Sequence, residues 1–280
     1  MFDIYLLQDL MAKKGDDNVE GYWVKYKKEQ TGEVEQVFIG EVQYLFLHVP
    51  KTGGTYVSRN KGVMSPIFDL NHAVFAEMPY TGNPDYPPTP GYSSDMIMGI
   101  SLVNKPYRMC FATVRNPYDW FVSYWFHVKT NPLDHNYMIA QNTFNAFVHA
   151  IAERDKGWPS NRQLLYFAFF SYEGNFIVDR LIHQENLDAE LAEFSNESRD
   201  LWYKKSENKP KVSEGRNPDY RAYYSTSLVD LVKNTWGRDL YLFGYDYENG
   251  KVKGIFDKVI DNELKNKVKY IWDTDTLIFD

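Results

Sequence analysis

The stretch LFLHVPKTGGTYVSRN spans residues 45–60. An apolar run ends at Pro50, and Lys51, Thr52, Gly53, Gly54 and Thr55 follow at once. These residue types suit the binding of a phosphate- or sulfate-like anion. Glycines remove Cβ atoms and let an anion approach the backbone. Lys51 adds a point charge, and Thr52 and Thr55 add hydroxyl donors. The plainer alternative is a strand–turn–helix junction with an exposed lysine. The nucleotide-binding pattern G-x-x-x-x-G-K-[ST] is absent, because Lys51 precedes the glycines where that pattern has its lysine after them.

A second segment, VRNPYDWFVSYW, carries Arg115 and, eight positions on, Ser123. A guanidinium binds an oxyanion with two parallel hydrogen bonds, and a helix hydroxyl nearby adds a third donor. An arginine salt bridge and an ordinary helix serine remain the alternative. Tyr118, Trp120, Tyr124 and Trp125 are either walls on which a sugar stacks or core residues.

Elements must bring these segments together. VQYLFLHV (42–49) and YRMCFATV (107–114) are near-continuous apolar runs of strand length, as expected for strands buried on both faces of a parallel sheet. A helix is predicted from Gly54 or Thr55. Another is predicted from Pro117, with Asn116 as its cap and Asp119 in its first turn. GYWVKYKKEQTGEVEQVFIG (21–40) alternates about a turn and predicts a β-hairpin. TFNAFVHAIAERD and NRQLLYFAFF predict helices. NFIVDRLIHQENLDAELAEF predicts a strand and then a helix from near Asn186. STSLVDLVKNTWGRDLYLFGYDYE predicts an amphipathic helix with a short apolar tail. The proline-rich segment 78–92 and the polar, basic segment 203–221 predict loops. Strands alternating with helices predict an α/β fold with a central parallel sheet flanked by helices.

The whole chain sets limits. It has 280 residues, 44% hydrophobic and 25% charged, an ordinary globular composition. A net charge of −7 argues against a general nucleic-acid binder. Cys110 is the single cysteine, so no internal disulfide forms, which fits a reducing compartment. The N-terminal residues lack the basic and apolar regions of a signal peptide, and no stretch is apolar enough to span a bilayer, so a cytoplasmic protein is expected.

FLHVPKTGGT and FATVRNPYDWFVS together resemble the sulfotransferases that use 3′-phosphoadenosine 5′-phosphosulfate. The likeness is to the carbohydrate (heparan sulfate 2-O-type) branch and its bacterial relatives. VDRLIHQENL and the segment 217–248 resemble that family more weakly. The resemblance implies a P-loop-kinase-like sulfotransferase fold over residues 42–249. Residues 1–41 are then an N-terminal extension bearing the hairpin, and residues 250–280 a C-terminal extension packed on the same domain. It implies that Lys51, Thr52, Gly53, Gly54, Thr55 and Tyr56 hold the donor's 5′ side. Arg115 and Ser123 hold its 3′-phosphate, and Arg216 is added from the basic loop. No metal is required. The acceptor is a hydroxyl of a sugar, a glycolipid or a small metabolite. The base that takes its proton is expected to be His72 or Glu77, which lie 21 and 26 residues after Lys51. The 2-O-type enzymes carry a histidine-containing segment where this chain reads IMGISL, which has none. A kinase-like phosphotransferase and a nucleotide-binding relative without activity are the alternative functions.

Overall fold

The computed structural model describes residues 2–3, 22–28, 34–39, 44–60, 67–69, 109–134, 136–153, 166, 169–170, 174–198, 213–271 and 276–279. In chain order the elements are β1 (Phe2–Asp3), β2 (Tyr22–Lys28), β3 (Val34–Ile39), β4 (Tyr44–Leu47), α1 (Gly54–Asn60), β5 (Ile67–Asp69) and β6 (Met109–Val114). Then come α2 (Pro117–Lys129), α3 (Tyr137–Ala140), α4 (Phe144–Ala152), β7 (Arg180–His183), α5 (Leu187–Ser198) and α6 (Thr226–Phe243). The described chain closes with β8 (Tyr245–Asp246), β9 (Gly250–Lys251), α7 (Asn262–Asn266), β10 (Val268–Ile271) and β11 (Thr276–Phe279).

The apolar runs form a parallel sheet in the order β5-β4-β6-β7. Alternating side chains bury its two faces separately. Tyr44, Phe46, Phe111 and Ile182 pack with Val57 of α1 and with Leu187, Leu191 and Phe194 of α5. Cys110, Ala112, Val114 and Leu181 pack with α2, α4 and α6 through residues such as Phe121, Phe147 and Trp236. Phe46 and Phe111 stack at 4.8 Å across neighbouring strands. Truncating a ring so placed costs about 3–5 kcal/mol. The fold is therefore α/β with helices covering a parallel sheet. β2 and β3 pair antiparallel, as the alternation of 21–40 predicts.

Strand order explains where a ligand can go. β4 continues to β5 on one side, while β6 lies on its other side and continues outward to β7. Loops leaving the C-terminal ends of β4 and β6 therefore diverge, and a crevice opens between them. Residues 48–53 and 115–116 are those two loops.

Helix ends follow their sequence signals. Asn116 Oδ1 accepts the Tyr118 N–H at 3.0 Å, and Pro117 occupies the first position of α2. Thr143 and Ser225 cap α4 and α6 in the same way. α6 ends at Gly244, whose φ of 66° is a left-handed C-terminal stop. The tail beyond it forms the small β8–β9 pair. Residues after 249 also touch the main sheet. The Leu181 N–H donates to the Lys258 carbonyl at 2.8 Å, and Phe256 stacks on Phe176 at 4.1 Å.

Two expectations are modified. In 161–170, Tyr166, Phe169 and Phe170 are buried as expected, but Phe170 makes a β-bridge to Phe176 where a helix is predicted. In 203–221, residues 213–219 are irregular as predicted, but Tyr220–Tyr223 form a 3-10 turn. Asp219 caps that turn by accepting the Arg221 N–H at 3.1 Å. The predicted loop 78–92 and residues 203–212 lie outside the described residues.

Candidate functional site

The loop after β4 is held from several directions. Thr52 is fully buried, and its hydroxyl donates to the Val49 carbonyl at 2.7 Å. The same oxygen lies 2.6 Å from the Thr113 hydroxyl of β6. Thr52 therefore stitches the loop to the neighbouring strand. This corrects the expectation that its hydroxyl points at an anion; what Thr52 can offer an anion is its N–H. Trp120 Nε1 donates to the Pro50 carbonyl at 2.8 Å, and Arg115 Nη1 to the Lys51 carbonyl at 2.9 Å. So constrained, Lys51 adopts a φ of 67°, a left-handed conformation that non-glycine residues rarely take. Such strain persists where surrounding contacts over-determine it, typically at functional sites.

The two glycines serve packing as well as openness. A Cβ on Gly54 would fall 1.8 Å from the His48 ring. A Cβ on Gly53, whose φ is 98°, would fall 2.8 Å from Leu187 Cδ2. Gly53 thus lets the loop press onto Leu187 of α5, and Gly54 lets the start of α1 press onto His48. Tyr56 is buried and donates its hydroxyl to Asp188 of α5. Thr55 is exposed at the helix start.

Arg115 sits at the end of β6, nearly buried at 7% exposure. The Tyr166 hydroxyl accepts its N–H at 2.9 Å and donates to its carbonyl at 2.5 Å. Its guanidinium bonds Asp119, one turn into α2, through Nε at 2.7 Å and Nη2 at 2.6 Å. Arg216 Nη2 bonds the other Asp119 oxygen. One carboxylate therefore bridges two guanidiniums. Arg216 Nε is buried and has no hydrogen-bond partner among the described residues. A buried N–H without a partner costs about 1–3 kcal/mol, so the site has an unmet demand for an acceptor. Ser123, on the next turn of α2, is buried as well.

The electrostatics agree. Burial lowers the Lys51 pKa to about 8, and the charges of Arg115 and Arg216 push it the same way. Burial also lowers the Arg216 pKa, with Arg115 adding to the effect and Asp119 opposing it. Two guanidiniums that share one carboxylate thus lie within the field of the Lys51 ammonium. That excess of positive charge in a crevice favours a polyanion.

The structure brings Lys51, Arg115 and Arg216 together although they are 64 and 101 positions apart in the pairs 51–115 and 115–216. His72 and Glu77 lie outside the described residues. The aromatic alternatives resolve toward core for Tyr118, Trp120 and Tyr124, which are buried. Trp125 is partly buried and donates its Nε1–H to the Ala140 carbonyl at 3.0 Å. The reading of residue types missed Asp119 as a bridge, Thr113 and Trp120 as clamps on the loop, and Tyr166 as the hydroxyl that binds both main-chain groups of Arg115. Asp119 had a signal, since Arg115 and Asp119 are four apart at a helix start. Glu185 was in view in the QEN segment but without a partner. It accepts the Asn116 N–H at 2.8 Å and the Tyr245 hydroxyl at 3.1 Å, tying β7 to the start of α2.

Among the described residues no group of three or more His, Cys, Asp and Glu side chains is placed to hold a metal ion, and no helix is long and apolar enough to cross a membrane. No protein-family model, no curated protein and no solved structure matches this chain.

Proposed function

We propose that the crevice between β4 and β6 binds 3′-phosphoadenosine 5′-phosphosulfate, and that the protein transfers its sulfuryl group to an acceptor hydroxyl, on a P-loop-kinase-like sulfotransferase fold. The observation that carries this reading is the convergence of Lys51, Arg115 and Arg216, with Arg216 Nε buried and unpartnered among the described residues. A donor with separate 3′ and 5′ anionic groups meets that demand, because the cations come from three separate segments, the loops after β4 and β6 and residues 213–219. The bound donor supplies an activated sulfuryl group with a good leaving phosphate.

The chain's own residues then have distinct tasks. Arg115, Arg216 and Ser123 hold the 3′-phosphate, Arg115 through the remaining N–H on each of its two Nη atoms, since Nε and Nη2 bond Asp119 and Nη1 bonds the Lys51 carbonyl. The main chain of Thr52, Gly53, Gly54 and Thr55 faces the 5′ groups, whereas Tyr56 spends its N–H on the Gly53 carbonyl at 2.9 Å and its hydroxyl on Asp188. Lys51 lies at the bond that breaks and stabilises the charge growing on the leaving oxygen more than it stabilises the ground state. The acceptor is a hydroxyl of a carbohydrate, a glycoconjugate or a small metabolite.

The test is a melting-temperature series with adenosine 3′,5′-bisphosphate and with adenosine triphosphate. A ligand at about 100 times its Kd adds ~2.7 kcal/mol, which for a chain of this size raises Tm on the order of 5 °C. The bisphosphate is expected to give that shift, and Arg216→Ala to reduce it. A shift with the triphosphate alone would transfer the assignment to a phosphotransferase.

A further inference from the structure

We propose that His127 is the group that takes the proton from the acceptor hydroxyl, a role that rests on the sulfuryl-transfer reading above. Asp119, Ser123 and His127 follow one another at four-residue spacing along α2, so they line one flank of the helix turn by turn. The first of them bridges Arg115 and Arg216, and the second is buried one turn further on. The third has an exposed side chain, open to an incoming acceptor. The Lys51 loop is anchored to this same helix by Trp120 and by Arg115 at its start.

His127 is also in the right protonation state. Desolvation lowers its pKa from 6.5, and the Lys51 charge lowers it further. Asp134, in the turn after α2, opposes this, as does the end of the helix itself, where a cation is favoured. Lys129 is turned onto the Trp125 ring, 4.6 Å from its centroid. The downward shift favours the neutral imidazole, whose lone pair accepts a proton. Lys51 thereby couples the two ends of the reaction, because the charge that stabilises the leaving oxygen also keeps the base unprotonated.

The step balances. The acceptor oxygen forms a bond to sulfur as the bond from sulfur to the bridging oxygen breaks. The electron pair of that bond stays on the leaving phosphate beside Lys51, and the hydroxyl proton moves to His127.

The test uses the full chain and three readouts. Calorimetry with adenosine 3′,5′-bisphosphate is expected to give His127→Asn the wild-type affinity. Release of sulfate from the donor, with water as the acceptor probe, is expected to fall about 100-fold in that variant and to lose its acidic pH limb. The nuclear magnetic resonance titration of the His127 ring is expected to lie below the ordinary histidine value and to rise in Lys51→Met. Wild-type release or an unchanged pH limb in His127→Asn overturns the role, as does a ring titration that ignores Lys51→Met. If the wild-type protein does not bind the bisphosphate, the donor assignment itself falls and takes this proposal with it. Binding with undiminished release in the variant removes His127 alone.

Discussion

Arg115 donates its Nη1–H to the main-chain carbonyl of Lys51 at 2.9 Å. One side chain therefore joins the two loops that leave β4 and β6, and it holds Lys51 in its left-handed conformation. The same guanidinium grips Asp119 through Nε and Nη2, and under the proposed function its remaining N–H groups face the 3′-phosphate. Its two tasks cannot be divided between a charge and a shape. Arg115→Lys keeps the charge but loses the fork and the contact to the loop. Its affinity for adenosine 3′,5′-bisphosphate is expected to fall about 100-fold, close to the loss in Arg115→Ala. Calorimetry reads this directly, and a lysine variant within a few-fold of wild type would show that charge alone suffices.

Lys51 makes stability depend on pH in the alkaline range. Its folded pKa is about 8 against an ordinary 10.5, lowered first by burial and then by Arg115 and Arg216. Between these values the unfolded chain holds more protons than the folded one, so stability rises with pH. Lys51→Met is expected to remove this rise over pH 8–10.5, leaving whatever slope other groups impose. Bound bisphosphate reverses the balance by favouring the ammonium, so binding near pH 8 takes up a proton. Calorimetry in buffers of different ionisation enthalpy measures that uptake, and Lys51→Met should abolish it.

Gly54 and His48 form a steric pair. His48 is buried at 6% exposure, and a Cβ at Gly54 would lie 1.8 Å from its ring. Gly54→Ala is expected to cost about 1–3 kcal/mol, because neither the buried ring nor α1 can yield freely. His48→Ala removes the ring and should make the second substitution nearly harmless. A double-mutant cycle by denaturant unfolding would give a coupling of at least ~0.5 kcal/mol, and additive losses would place the strain elsewhere.

Behind the site, Glu190 of α5 accepts the His183 N–H at 2.7 Å and lies 3.0 Å from His183 Nδ1. Burial pushes its pKa up, but the hydrogen bonds from His183 and the charges of His183 and Lys258 outweigh burial and leave it below 4.5. A depressed carboxylate contributes stability above its unfolded pKa, and that contribution is lost as pH falls through the folded value. Glu190→Gln is expected to lower stability at pH 7 by about 1–3 kcal/mol and to flatten the loss below pH 4.5. Melting curves from pH 3 to 7 decide it, and an unchanged acid limb would exclude Glu190 as its source.

Much of this arrangement was legible from residue order. Apolar runs of strand length become β4 and β6 because a strand covered on both faces has no polar side to show. Asn116, Pro117 and Asp119 announce a helix start by local hydrogen bonding alone. Gly53 and Gly54 mark the turn between β4 and α1, since glycine takes the positive φ and the close approaches that such a turn requires. Local signals of this kind depend on residues within a turn of each other, and they survive being read one window at a time.

Other features depend on distance in sequence. That Thr52 turns inward to Thr113, and Trp120 reaches Pro50, follows from the register of β4 against β6. That Arg216 shares Asp119 with Arg115 depends on where a loop about 100 residues away comes to rest. The pKa of Lys51 likewise belongs to no single segment, because burial and two remote guanidiniums produce it. Residue types alone thus determine that this chain has an α/β sheet with a glycine-containing turn after β4. Tertiary structure decides that two guanidiniums share one carboxylate within the field of Lys51, because Coulomb energy and desolvation depend on distances in space that sequence separation does not encode.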